Sequence, residues 1–72
     1  AEREEIQKEI VKALNKLPQK EQEVLILYYW EELTLKEIGK VLEVSESRVS
    51  QLHGKAIQDL RHSLLEIKKA LL

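Results

Sequence analysis

An all-α domain of four helices joined by short loops is the fold class that this chain predicts, and three observations predict it. Two Gly and one Pro in 72 residues leave few turn breakers. Apolar residues recur at steps of three and four along most of the chain, the period of one helical face. Thr34 and Ser45 stand immediately before two such runs, where a hydroxyl can cap the first turn of a helix. So short a chain buries only about 60% of its unfolded surface, so it forms one small domain, 1–72. It has no cysteine, so helix packing must supply the stability that a disulfide framework would otherwise give.

The first helix is expected over about 2–16. Ile6, Ile10, Ala13, Leu14 and Leu17 share one face, and Glu4 stands four residues before Lys8 as an ion pair. Pro18 ends this helix, because it disfavours a helical residue before it and has no N–H to donate; it also suits the first turn of the next. The second helix, about 19–30, begins polar and turns almost wholly apolar in VLILYYW. It is expected to be the most buried, with Tyr28, Tyr29 and Trp30 in the core and its rim rather than on an aromatic nucleic-acid platform.

Thr34 and Glu37 form a capping box that starts a third helix, about 35–42. Eight residues are too few for a helix to stand alone, so packing must hold it. Ser45 then caps a long fourth helix, about 46–70, with Glu46 at its positive end. Its stripe runs through Val49, Leu52, Ala56, Leu60, Leu64, Ile67 and Leu71. Beyond Leu60 that stripe either folds back on the first helix or forms a groove for a partner helix. The Lys68–Lys69 pair reads as a solvated helix end. The expected core comprises Ile10, Leu14, Leu25, Ile38, Val41, Leu42, Val49 and Leu52.

A formal charge of −1 conceals an asymmetry, with −3 on residues 1–35 and +2 on residues 36–72. So small an excess of cations does not sustain tight, sequence-independent binding to phosphates. Serines 45, 47 and 50 lack a His and Asp constellation, and His53 and His62 do not converge on a metal. With no Gly-rich phosphate loop either, enzyme activity, a metal site, a cofactor and a small-molecule substrate are not expected. No apolar run approaches the roughly 18 residues of a membrane span, and no signal peptide opens the chain, which reads as cytoplasmic. Starting at Ala1 without methionine, it reads as a fragment of a longer protein.

The third and fourth helices, separated by Glu43 to Ser45, have the layout of a helix-turn-helix. Gly39 is the small residue where they cross, and Ile38, Leu42, Val44, Val49 and Leu52 occupy the positions that such packing needs. Glu43 stands at a turn position where glycine is common, at a cost of up to about 1 kcal/mol if the left-handed backbone is kept. With Val49 and Leu52 inward, Glu46, Ser47, Ser50, Gln51 and Gly54 face outward, with Arg48 on the flank. Arg, Gln and Ser are residues that hydrogen-bond base edges in a major groove, and Glu46 can accept from cytosine. Lys55, Arg61 and His53 extend the polar surface towards backbone phosphates.

The stretch LPQKEQEVLILYYWEELTLKEIGKVLEVSESRVSQLHGKAIQDLR, residues 17–61, resembles region 4 of bacterial RNA polymerase sigma factors. The part from Tyr28 to Ile57 is most similar to the alternative sigma factors of flagellar and motility genes. The resemblance implies recognition of a promoter −35 element, with Ser45 capping the recognition helix and Arg48, Ser50 and Gln51 at base- or phosphate-contacting positions. Glu46 and Ser47 stand where the housekeeping branch often has a more basic pair, which implies a different sequence preference. The implied partners are promoter DNA, the β-flap of the RNA polymerase core and an anti-sigma factor. Two other readings share parts of this pattern: the DNA-binding output domain of a response regulator, and a helical interaction module that does not bind DNA.

Overall fold

The computed structural model describes the backbone of residues 2–71 and the side chains of residues 3–66. It contains α1 (Glu2–Asn15), α2 (Gln19–Tyr29), α3 (Leu35–Leu42) and α4 (Glu46–Leu71). The order and the bounds, within one residue at each end, follow the expectation from apolar period and caps. At about 1.5 Å per residue, the 26 residues of α4 span about 39 Å, which sets the long axis of a body 41 × 20 × 15 Å. The other three helices all pack against α4.

Local chemistry accounts for each boundary. The Leu17 carbonyl accepts from the Gln22 side chain at 2.7 Å, closing the α1–α2 corner around Pro18, the residue that precedes α2. At the far end of α2, Glu32 takes a left-handed backbone (φ 55°), and Leu33 N–H reaches back to the Leu27 carbonyl at 3.0 Å. Thr34 Oγ1 accepts from Glu37 N–H at 3.1 Å while Glu37 Oε1 accepts from Thr34 N–H at 2.9 Å, the reciprocal capping box read from the sequence. Those bonds also hold the Glu37 carboxyl below its ordinary range, the backbone bond most of all.

Two apolar clusters make the core. Val24, Ile38, Val49 and Leu52 join α2, α3 and the first half of α4, with Leu42 and Val44 packed against them. Leu17, Leu25 and Ala56 form the second, backed by Leu14, Ile57 and Leu60, and carry α1 onto the middle of α4. Ala13, Leu17, Val24 and Ala56 are buried as well, beyond the core expected from the sequence.

Three expectations about burial are corrected. Ile10 is 36% exposed, because only the C-terminal end of α1 lies on α4, leaving Ile6 and Ile10 on the right face but past the body. Val41 is 58% exposed: the close crossing at Gly39 turns the Gly39 side of α3 inward and Val41, at 100° per residue, outward. Tyr28, Tyr29 and Trp30 are 37%, 52% and 67% exposed, so they are neither core nor fully rim. An unbroken apolar run has no period to show which face is buried, and α2 buries Glu21, Val24 and Leu25 instead. Among the described residues of α1 the ion pair is Glu9–Lys12 at 3.4 Å, not Glu4–Lys8, and Glu4 and Lys8 line a shallow surface hollow with Gln7, Val11 and Lys12.

At Leu60 the packing against α1 ends, and the described side chains beyond it line a groove. Leu60 backs the cluster beneath α1, while Ile57, Leu60, Arg61, Leu64 and Leu65 line an open groove of about 360 Å³. Ile67, Lys68, Lys69, Leu71 and Leu72 lie outside the described side chains.

Candidate nucleic-acid interface

The turn between α3 and α4 is built from backbone bonds. Glu43 adopts φ 58° and ψ 43°, the left-handed geometry expected of a glycine there, and its N–H donates to the Gly39 carbonyl. Val44 N–H donates to the same carbonyl at 2.9 Å. The Gly39 carbonyl thereby accepts two N–H groups, which ties the turn to the last turn of α3. Gly39 is required by contact rather than by φ: a Cβ there would stand 2.8 Å from the Val44 carbonyl oxygen. Removing that carbon lets α3 lie against the turn and fixes the angle at which α4 leaves it.

Ser45 Oγ accepts from Arg48 N–H at 3.0 Å, so the serine caps α4 as its position predicts. Val49, Leu52 and Ala56 point into the core. Glu46, Ser47, Arg48, Ser50, Gln51, Gly54 and Lys55 are all exposed. The expected contact residues therefore lie on one solvent-facing arc of the first three turns of a rigid helix. Nothing in the fold lies within 4 Å of a Cβ added at Gly54, so this arc is open.

The flank carrying Lys55 has its own electrostatics. Lys55 Nζ donates to Asp59 Oδ1 at 2.8 Å, which raises the lysine and lowers the aspartic acid from their ordinary values. Beside them on α2, the Glu21 side chain is 6% exposed and its Oε1 has no hydrogen-bond partner. Burial pushes the Glu21 carboxyl up, and the bond to Asp59 together with its charge pushes the same way. This buried acid against an acid–base pair was not foreseen; the only signal is a Glu at an inward α2 position.

On the opposite flank, half-buried His53 meets α2. Its Nε2 lies 3.1 Å from the Tyr29 hydroxyl, and the Tyr28 and Tyr29 rings lie 4.9 and 5.8 Å from it. His62 is remote from this cluster and pairs with Glu66 at 3.4 Å.

A short helix crossing a long one at a glycine, a three-residue turn opened by a left-handed residue, and an exposed polar arc on the second helix define a helix-turn-helix DNA-binding domain. The profile of the family described as Sigma-70, region 4 matches residues 13–62. The chain belongs to that family, a class of transcription-factor domain and not an enzyme. It is 58% identical over 60 residues to the RNA polymerase sigma factor FliA of Salmonella typhimurium, covering 83% of this chain and 25% of that protein. Identity to FliA of Pseudomonas aeruginosa is 54% over 67 residues, covering 93% of this chain and 27% of that one. The RNA polymerase sigma-D factor of Bacillus subtilis is 43% identical over 65 residues, covering 90% and 26%. The chain thus spans about a quarter of the length of the curated relatives it matches. Family membership displaces the response-regulator reading.

Proposed function

We propose that this domain recognises a promoter −35 element as part of a sigma factor that directs RNA polymerase to flagellar and motility promoters. The observation that carries the reading is the open arc of Glu46, Ser47, Arg48, Ser50 and Gln51 on a capped helix, projected by the Gly39–Glu43 turn. Such an arc fits the major groove, where Arg reads guanine or phosphate, Gln reads adenine and Glu accepts from cytosine. Lys55 faces the backbone once Asp59 releases it. Partners of the whole protein on this reading are promoter DNA, the β-flap of the polymerase core and an anti-sigma factor. The groove at Ile57, Leu60, Leu64 and Leu65 supplies apolar surface that suits a partner helix. Among the described residues no helix is long and apolar enough to cross a membrane.

The test places Arg48→Ala and Gln51→Ala in the full-length protein within holoenzyme and measures occupancy of promoters with each −35 base changed. A lost bidentate base contact costs about 1–3 kcal/mol at one position, whereas a lost phosphate contact weakens all sequences alike. Unchanged occupancy and preference in both variants would sink the assignment of this face.

A further inference from the structure

The aromatic pair that ends α2 is outside the core, yet it is ordered around one residue of α4. The Tyr28 and Tyr29 rings meet edge to face at 4.8 Å and 74°. Each also lies against the His53 imidazole, Tyr28 tilted at 56° and Tyr29 near-parallel at 29°. The Tyr29 hydroxyl adds a hydrogen bond to Nε2 at 3.1 Å. One half-buried ring is thus held on two sides and at one nitrogen by side chains that are themselves 37% and 52% exposed. A cluster at the surface adds little to the core, so its effect is to fix where the imidazole points.

Its place on α4 says what lies in that direction. His53 follows Ser50 by three residues and Val49 by four, which puts it on the margin between the buried stripe and the open arc. In a helix lying in a major groove the outermost arc meets base edges, while the margins meet the phosphates that rim the groove. The other margin carries Lys55, which is engaged by Asp59. We infer that His53 donates a hydrogen bond to a DNA backbone phosphate at the rim of the −35 major groove, with Tyr29 as its positioning residue. In this arrangement the tyrosine hydroxyl donates to Nε2, so the ring proton sits on Nδ1, at the free edge of the ring. A ring ordered before DNA arrives loses little freedom on binding. The inference rests on the DNA-reading proposed above.

The experiment uses the full-length protein in holoenzyme and promoter duplexes carrying a single neutral methylphosphonate, walked along the backbone of the −35 element. Wild type should lose about ten- to a hundredfold in affinity at one backbone position, as expected for one hydrogen bond to a charged oxygen. His53→Ala should lose about as much on unmodified DNA, equally for consensus and base-substituted elements, and should no longer respond to that methylphosphonate. Tyr29→Phe keeps the stacked ring and removes only the hydroxyl; it should show a smaller loss and a weakened response. His53→Asn places an amide N–H near the Nδ1 position and should restore the response, an outcome that mere structural damage at position 53 does not produce. Holoenzyme that reads the −35 sequence while His53→Ala keeps the wild-type methylphosphonate profile overturns the phosphate contact alone. Holoenzyme indifferent to the −35 sequence overturns the DNA-reading, and this contact with it.

Discussion

Glu21 sits in the seam between α2 and α4 with one carboxyl oxygen unpaired, next to an Asp59 that is already bonded to Lys55. Desolvation first, and Asp59 second, raise its pKa in the folded state. A raised folded pKa contributes stability that is fully present below the unfolded value, about 4.3 for glutamic acid, and is lost as pH rises through the folded value. Asp59 has the opposite sign, its lowered pKa contributing stability that is lost as pH falls. Glu21→Gln keeps a donor for Asp59 and carries no charge to desolvate. The variant is expected to gain on wild type progressively as pH rises from about 4, levelling off above the folded pKa of Glu21. Thermal midpoints of both proteins from pH 4 to 8 check this; a constant difference would mean that folding does not raise the Glu21 pKa.

The elements show how much of the fold is carried by contacts between helices rather than by propensity. Eight-residue α3 has a complete capping box, yet a helix so short is held by Ile38 in the core and by Gly39 against the turn. The two glycines make opposite predictions. Gly39→Ala gains up to about 1 kcal/mol of helix propensity but drives a Cβ to 2.8 Å from a backbone oxygen that the turn holds in place. Overpacking of this kind costs about 1–3 kcal/mol, so destabilisation wins. Gly54→Ala meets no neighbour within 4 Å and should stabilise the domain by up to about 1 kcal/mol. For a domain of this size about 1 kcal/mol moves the thermal midpoint by about 4–8 °C, so melting curves separate the two. A lower midpoint for Gly54→Ala, or an unchanged one for Gly39→Ala, contradicts the crossing geometry.

At the scale of the whole molecule, one α4 helix organises everything: its first three turns present the polar arc and its middle receives α1. A net charge of −1 leaves few cations for phosphate, and Glu46 opposes them within the arc. Affinity for DNA in the absence of other domains should therefore be weak and strongly reduced by salt. Attachment to polymerase makes −35 binding an intramolecular event at an effective concentration of about millimolar, so a weak contact suffices. Titration of this 72-residue chain with promoter duplex at physiological salt measures the point. Specific binding by a monomer at nanomolar strength would contradict it. A partner that covers the arc or the Leu60–Leu65 groove would silence such a protein without chemistry.

Helix number, order and ends were legible in the sequence, because caps, proline and apolar period act over a few residues: Thr34 with Glu37, Ser45 and Pro18 each declare a boundary locally. The outward arc from Glu46 to Gln51 was legible for the same reason, once Val49 and Leu52 were set inward by period. Tertiary structure alone decided which apolar residues find a partner. Ile10 has the right period but lies past the end of the body, Val41 is turned out by the crossing at Gly39, and VLILYYW carries no period at all. The Tyr29–His53 and Glu21–Asp59 contacts belong to that second kind. They join residues 24 and 38 positions apart, and only the docking of α2 across α4 brings such distant side chains within reach of one another.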